Sequence, residues 1–348
     1  MNSFFQRLSD FFGGIFGGRS GSVDADRGPW TRVALGLLAV FLVLQLALAW
    51  YWSREPEPLW VNWQHQGQPA ATGFATVDTL IAAANTLLDK PGGYLSNDIA
   101  PPGVILDNIP NWEFGVLVQV RDLSRVLRND YSRSQTQSLA DPDLELAEPA
   151  FNFDSESWIL PATERKYREG ISNLEAYRDR LISGGEPEAH FYARADNLRE
   201  WLAVVEKRLG DLSQRLSASV GQRRVNTDLA GDPAADTSGP QPDDVRVKTP
   251  WLQIDDVFYE ARGAAWALVQ FLRATEYDFQ QVLEDKNARV SLRQIIRELE
   301  ASQAPMRSPM VLNGKGFGMF PNHSLVMASY LSRANSAVIN LRELLDQG

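Results

Sequence analysis

One short run of charged residues has a spacing that could support chemistry. Asp256 and Glu260 are four residues apart, so a helix would place both carboxylates on one face. Asp255 and Arg262 lie beside them, and Glu113 is a further acid that the fold could bring near. Carboxylate pairs of this kind carry out the acid–base steps of glycoside hydrolysis. The alternative, which we favour, is an ion-paired helix start, because acids stabilise a helix N-terminus.

A glycine-rich segment, Gly314-Lys315-Gly316-Phe317-Gly318, imitates a phosphate-binding loop and precedes a predicted helix. No strand is predicted before it, and Met319 occupies the position of the third glycine in a dinucleotide-binding fingerprint. The segment does not fit a P-loop either, so we interpret it as a surface loop. The candidate interaction residues of the chain are Asp255, Asp256, Glu260, Lys315 and Phe317.

The composition argues against several other kinds of site. The 348 residues include no cysteine, which removes thiol nucleophiles, disulfides and thiolate metal sites. The motifs Gly-x-Ser-x-Gly, Ser-x-x-Lys, His-Glu-x-x-His and Glu-x-x-His do not occur, so hydrolase, zinc and di-iron signatures are missing. A net charge of −10 argues against general nucleic-acid binding, which needs a basic surface. We predict no catalytic residue, no metal and no cofactor.

The clearest pattern in the sequence is an uncharged apolar run over residues 33–52. At about 1.5 Å rise per residue, a helix of this length spans the roughly 30 Å hydrocarbon core of a bilayer. Trp30 lies at one end and Trp50, Tyr51 and Trp52 lie at the other, as in the aromatic belts of membrane proteins. The sequence therefore predicts a transmembrane helix over residues 30–52. Its predicted anchor residues are Trp30, Arg32, Trp50, Tyr51 and Trp52.

The charges that flank this run predict its orientation. Arg54 alone follows it closely, and the next base is Lys90. The bases that precede it are Arg7, Arg19, Arg27 and Arg32. The positive-inside rule therefore places residues 1–29 in the cytoplasm and the bulk of the chain on the other side. Apolar residues at helical spacing in this tail indicate a short amphipathic helix, whereas its glycines favour a disordered tail.

A cleaved signal peptide is the alternative for the apolar run. Ala47-Leu48-Ala49 resembles a small-x-small cleavage site. However, the segment before the run is longer than a typical basic n-region, and the run itself exceeds a typical signal-peptide core. We therefore favour a membrane anchor.

Beyond the membrane helix, the apolar period is helical almost throughout. Residues 53–73 contain prolines and glutamines and are predicted to form an extended stalk. Residues 74–223 and 250–348 are predicted to form two helical parts of one bundle. Residues 224–249, rich in aspartate and proline, are predicted to be a flexible acidic linker. The predicted fold class is all-α, with one transmembrane helix followed by an elongated periplasmic helical bundle.

Seven helices are predicted in this bundle, and residues 134–160 are predicted to be a loop. The approximate bounds of the helices are 74–90, 111–132, 162–183, 187–222, 251–283, 288–302 and 322–346. Two of them carry a strict heptad pattern. The first seam is Leu198, Leu202, Val205, Leu209, Leu212 and Leu216, and the second begins Ile254, Phe258, Ala261, Ala265, Leu268 and Leu272. We expect these seams to pack within one chain rather than between chains.

Five strings of residues carry a resemblance to a known family. They are NIPNWEFGV at 108–116, ADNL at 195–198, IDDVFYEARG at 254–263, SLRQIIRELE at 291–300 and NHSLVM at 322–327. Over most of residues 74–348, the chain resembles a proteobacterial family, domain of unknown function 2333. The family implies no activity. It implies a Gram-negative source, and hence an inner-membrane anchor with a periplasmic domain.

The sequence thus predicts a non-enzymatic, inner-membrane-anchored helical protein that is a scaffold or interaction partner in the cell envelope. The expected partners are the membrane, through one spanning helix, and an envelope protein, with no nucleic acid. Two alternatives stay open. One is an envelope enzyme that acts on peptidoglycan or another glycan through acidic residues, which would need carboxylates that converge in a cleft. The other is a lipid or amphiphile carrier, which would need an apolar cavity between helices.

Overall fold

The computed structural model describes residues 29–59, 63–65, 68–69, 71–135, 138–225, 244–306, 308, 310–315 and 319–347. Within them the chain forms ten α-helices and two short strand pairs. The helices are α1 (Pro29–Trp52), α2 (Phe74–Asp89), α3 (Asn108–Val126), α4 (Pro142–Phe151), α5 (Thr163–Ser183), α6 (Ala195–Ser217), α7 (Ile254–Asp278), α8 (Gln280–Asp285), α9 (Arg289–Ser302) and α10 (His323–Asp346). The predicted all-helical class is confirmed.

The strand pairs are short and antiparallel. Strand β1 (Gln64–His65) pairs with β2 (Gln68–Pro69), and β3 (Gln222–Val225) pairs with β4 (Asp244–Val247). The second pair joins the two ends of the predicted acidic linker, and the residues between these strands lie outside the described part of the chain. The predicted tail helix and Phe317 lie outside it as well.

The chain divides into two compact units, Met1–Ala47 and Leu48–Gly348. Helix α1 contains a segment, Val33–Trp52, that is long and apolar enough to cross a membrane, with a mean hydropathy of 2.5. Its side chains are largely exposed, as expected for a helix whose apolar surface has no protein around it. The predicted apolar helix is therefore present in the structure.

Helices α3 and α7 run parallel through the bundle and touch at two glycines. A Cβ on Gly115 of α3 would come 2.8 Å from the backbone nitrogen of Ala264, and closer still to the carbonyl oxygen of Glu260. A Cβ on Gly263 of α7 would come 2.8 Å from the carbonyl carbon of Trp112. Glycine permits such close approach of two backbones, and no larger residue would. These two positions therefore fix the spacing of the central helix pair.

The first heptad seam is buried against a neighbouring helix of the same chain. Its six residues, Leu198, Leu202, Val205, Leu209, Leu212 and Leu216, are all buried. Helix α6 packs antiparallel along α10, because Arg199 pairs with Asp346 and the Ser213 hydroxyl donates to the Ala328 carbonyl. Whether the two helices form a true coiled coil stays a prediction.

The predicted loop over residues 134–160 was wrong in one part, because it contains helix α4. Asp141 caps this helix by accepting a hydrogen bond of 3.0 Å from the backbone N–H of Asp143. Pro142 occupies the first turn, where its missing N–H is not needed. The buried residues of the helix are Leu144, Ala147 and Phe151. The helix is hard to recognise in the sequence because it is short, contains Pro149, and carries only three buried apolar residues among three acids.

Two predicted helices also change. Helix α6 begins at Ala195 rather than at 187, and the predicted helix 251–283 consists of α7 and α8, which are separated at Phe279. With α4 and α8, the described residues after α1 contain nine α-helices, so the predicted number of seven was too low.

The bundle has two distinct ends. One end contains the N-termini of α3, α5, α7 and α10 and the C-termini of α2, α6 and α9. The indole of Trp52 lies over Gly92 there, so close that a Cβ on Gly92 would come 2.8 Å from the ring. We call this end the Trp52 end. At the opposite end, the Asp278 carboxylate at the C-terminus of α7 caps α2 by accepting from Gly73 N and Thr76 N.

Candidate functional site

The segment that leaves α1 is fastened directly to α7. The Glu55 carboxylate accepts three hydrogen bonds of 2.7–3.0 Å from Nε and Nη2 of Arg262. Arg262 is only 5% exposed, and its Nη1 also donates to the carbonyl oxygens of Ser302 and Ala304, each at 3.2 Å. A buried guanidinium is stable only when its charge and donors are matched in this way. Glu55 therefore completes a site that α7 and the end of α9 provide.

The same segment continues along α7. The carbonyl oxygen of Glu57 accepts from the Trp266 indole N–H at 3.2 Å, and Leu59 packs against the core. Further on, the ring centroid of Trp63 lies 5.5 Å from that of Tyr277. The described part of the predicted extended stalk thus lies on α7. The segment is held there by three groups of α7: the buried charge of Arg262, the indole N–H of Trp266 and the ring of Tyr277.

A cleft of about 230 Å³ opens beside Arg262, and we call it the Arg262 cleft. Its lining residues are Phe258, Arg262, Ala301, Ser302, Ala304, Pro305, Met306, His323, Val326, Met327 and Tyr330. The backbone N–H of Leu312 donates to Nδ1 of His323 at 3.0 Å, and burial lowers the pKa of this imidazole. The histidine is therefore neutral at pH 7. The cleft presents mainly apolar side chains to an occupant.

A second cleft of about 240 Å³ lies at the N-terminus of α7, and we call it the Asp255 cleft. It is lined by Asp107, Trp251, Leu252, Ile254, Asp255, Met310, Val311 and Asn313. Burial raises the pKa of the Asp255 carboxyl, and the nearby charge of Asp107 raises it further. Burial and the charges of Asp255 and Asp107 also raise the pKa of Asp256, to which Asn111 donates a hydrogen bond of 2.8 Å.

The acids that the sequence analysis grouped together have different partners in the structure, although the charge of Glu260 still helps to raise the pKa of Asp256. Glu260 forms two hydrogen bonds with Arg215, at 2.6 and 2.7 Å, and is not among the residues that line the Asp255 cleft. Arg262 pairs with Glu55 rather than with an acid of its own helix. Lys315 is exposed. Phe317 and the side chain of Arg32 lie outside the described part of the chain, so their roles stay predictions.

Glu113, the remaining acid, belongs to a closed buried cluster. Its carboxylate forms an ion pair with Lys90, and both side chains are almost fully buried. The backbone N–H groups of Leu95 and Ser96 donate to it at 2.8 and 2.9 Å. Burial raises the pKa of Glu113, and Lys90 with these donors partly offsets the effect. The cluster holds the loop after α2 against α3 and has no access to solvent.

Sequence analysis missed the Glu55–Arg262 pair, which the structure makes central. The two residues are 207 positions apart, so no local spacing could have linked them. Arg262 was singled out as a neighbour of acids on its own helix, and Glu55 was assigned to a stalk. The one indication in the sequence was that an acid follows the apolar run by only three residues.

The comparison with protein families decides the membership of the chain. Residues 25–348 match the family described as "Uncharacterized protein conserved in bacteria (DUF2333)". The chain belongs to this family. The resemblance predicted from the five strings is therefore confirmed, and a bacterial source for the DUF2333 protein follows from it. No curated protein and no solved structure matches the chain significantly.

Proposed function

We propose that this protein is a non-enzymatic, single-span membrane protein whose helical domain is held at the membrane surface and binds another envelope component. The observation that carries the proposal is the Glu55–Arg262 pair. Glu55 follows the last residue of α1, Trp52, by three positions, a reach of at most about 10 Å. A domain fastened to the chain at this point has little freedom to move away from the bilayer.

Orientation and compartment are part of the proposal. The bases before α1 and their scarcity after it favour a cytoplasmic N-terminus and a periplasmic helical domain. A bacterial family and a chain without cysteine are compatible with an inner-membrane anchor in a Gram-negative cell. In that arrangement the domain is stabilised by helix packing alone, with no disulfide.

The Arg262 cleft is the proposed partner-binding site. At about 230 Å³ it is smaller than the roughly 300–1,000 Å³ typical of pockets for small molecules. It has room for one or two apolar side chains of a protein, and Val326 and Tyr330 of α10 are among the residues that line it. This size supports a protein partner better than the lipid or amphiphile carrier that the sequence left open.

Photo-crosslinking in living cells tests this assignment. A benzophenone amino acid at Val326, which lies on the cleft, should yield one reproducible adduct of higher mass. The matched control is Ile339, which is exposed on the same helix about 20 Å further along. Monomer alone at Val326, or the same adducts at both positions, would contradict binding in the cleft.

A glycan-acting enzyme is the second candidate, and the Asp255 cleft is the observation that favours it. Two carboxyl groups, of Asp107 and Asp255, line this cleft beside the exposed indole of Trp251. Purified full-length protein should then release soluble fragments from peptidoglycan, and Asp107→Asn and Asp255→Asn should each abolish the release. Absence of release by the wild-type protein would eliminate this candidate.

A further inference from the structure

Large apolar side chains project into solvent at the Trp52 end of the bundle. They belong to four loop segments and, among the described residues, are Ile99, Val104, Ile105, Trp158, Ile159, Leu160, Trp251, Leu252, Met310, Met319 and Phe320. Five of them, Ile105, Leu160, Trp251, Leu252 and Met319, are more than 70% exposed. Contiguous exposed apolar surface on a folded domain marks a contact with a membrane or a partner.

These loop segments are held next to one another. The Asn97 side chain donates to the Ser157 carbonyl at 3.0 Å, and the Tyr94 hydroxyl donates to the Ser155 carbonyl at 3.1 Å. These bonds join the loop before α3 to the loop before α5. The Asp255 cleft brings the same loop, through Asp107, beside Trp251, Leu252 and Met310. The exposed apolar residues therefore form one surface, which we call the apolar end.

The opposite end of the bundle does not share this character in the part of the chain that the structure describes. Leu139 follows the C-terminus of α3, and Val290 lies at the start of α9, near the C-terminus of α7. Both are highly exposed, at 95% and 76%, but each is isolated among polar residues in the sequence. Single exposed apolar residues are normal on protein surfaces, so the concentration at the Trp52 end requires an explanation.

The path of the chain shows at which end of the bundle it enters the helical domain. From Trp52 the chain contacts α7 first at Arg262 through Glu55 and then, further from the membrane segment, at Tyr277 through Trp63. It therefore follows α7 from its N-terminal part toward its C-terminus. Because Trp52 also lies over Gly92, the chain enters the helical domain at the end that contains the N-terminus of α7.

We infer that the apolar end of the helical domain inserts into the interface of the bilayer that α1 spans, as a second membrane contact. The inference rests on the proposed anchor function. Tryptophan and large aliphatic residues on loop tips are the side chains that partition into this interface. The same end carries Asp98, Asp107, Asp255 and Asp256, which disfavour an anionic surface, so the matching bilayer is one of zwitterionic lipids.

We assign lipid rather than another protein to the apolar end, because the covalent connection to α1 holds this surface near the bilayer without any partner. Trp52 ends the span and lies on Gly92, in the loop that also carries Ile99, Val104 and Ile105. Residues of one loop that begins at the membrane boundary meet lipid headgroups before anything else. A protein partner at the apolar end would have to displace this bilayer contact.

Depth measurement on the full-length protein in phosphatidylcholine nanodiscs tests the inference. The chain has no cysteine, so single nitroxide labels can be placed without background. The loop sites are Ile105→Cys, Ile159→Cys and Leu252→Cys, and the matched controls are Leu139→Cys and Val290→Cys at the opposite end. Val43→Cys, within the span, reports whether α1 itself is in lipid.

The readout is the ratio of relaxation by oxygen, which concentrates in lipid, to relaxation by a water-soluble nickel complex. We expect a ratio several-fold higher at the three loop sites than at the two controls. Equal ratios at loop and control sites, with a high ratio at Val43, would overturn the inference and leave the anchor intact. A low ratio at Val43 would overturn the anchor itself. Shielding of the loop sites from both reagents would indicate a protein neighbour and would also overturn the inference.

Discussion

Glu55 and Arg262 are joined by three hydrogen bonds although 207 positions separate them in the chain. One residue belongs to the segment that leaves the apolar helix, and the other lies two turns into α7. The pair also satisfies the carbonyl oxygens at the end of α9, so it connects three parts of the chain at one point. Loss of this connection should lower the free energy of unfolding by much more than the loss of a surface ion pair does.

Glu55→Gln should lower the free energy of unfolding by about 3 kcal/mol, because it leaves the buried Arg262 charge without its counter-charge. Chemical denaturation of the full-length protein in mild detergent measures this value. The matched control is Glu300→Gln, which removes a more exposed pair with Arg273 and should cost below about 1 kcal/mol. Equal losses of unfolding free energy for the two substitutions would show that the Glu55–Arg262 pair stabilises the protein no more than an exposed ion pair does.

The Lys90–Glu113 pair should behave as one unit in a double-mutant cycle. Lys90→Met and Glu113→Gln should each destabilise by about 3–5 kcal/mol, because each leaves one buried charge unpaired. The double variant should lose clearly less than the sum of the two. Arg168→Met, which removes an exposed partner of Asp89 near the same loop, is the control and should be close to neutral. Additive effects would contradict direct coupling of Lys90 and Glu113.

The glycines between α3 and α7 should not tolerate a methyl group. Gly115→Ala and Gly263→Ala should each lower the free energy of unfolding by about 3 kcal/mol or more, because the backbones would have to separate. Gly210→Ala in α6 is the matched control, since its Cβ would meet only the Asn335 amide nitrogen, at 3.6 Å. That change should stabilise the helix by up to about 1 kcal/mol. Similar melting temperatures for all three variants would contradict the close contact.

The carboxyl groups at the start of α7 should make stability depend on pH. The pKa values of Asp255 and Asp256 are raised above 3.8 in the folded state. The contribution of such a group to stability is full below the unfolded-state pKa and is lost as pH rises through the raised pKa. Asp255→Asn should therefore be more stable than wild type at pH 7, and this advantage should disappear at about pH 3. An advantage that grows as the pH falls would contradict the raised pKa values.

The sequence predicts the helical elements well where apolar residues recur without interruption. The seam from Leu198 to Leu216 is an example, since every seam residue is buried in α6. Helix α4 was missed because only three of its ten residues are buried, and the other seven include three acids and two prolines. In such a segment the apolar residues repeat too few times for the helical period to be distinguished from a polar loop.

The contacts of the charged residues could not be predicted from the same sequence. Lysine and glutamate are almost always exposed, so nothing in the sequence marks Lys90 and Glu113 as a buried pair. Likewise, Arg262 has acids beside it on its own helix, and only the three-dimensional path of residues 53–59 shows that Glu55 is its partner. Local periodicity determines helices, whereas long-range charge pairing depends on which helices meet.

The most direct test of the central claim, a single anchored span with an external helical domain, is thiol labelling of single-cysteine variants in intact cells. One variant carries Leu139→Cys in the helical domain, and the other carries Ser20→Cys in the tail. A membrane-impermeant maleimide is added to cells that express each variant, after the outer membrane alone has been permeabilised. We expect Leu139→Cys to be labelled in intact cells, and Ser20→Cys to be labelled only after lysis and on a band of full-length mass. Labelling of Ser20→Cys in intact cells, protection of Leu139→Cys, or loss of the tail from the mature protein would contradict the account.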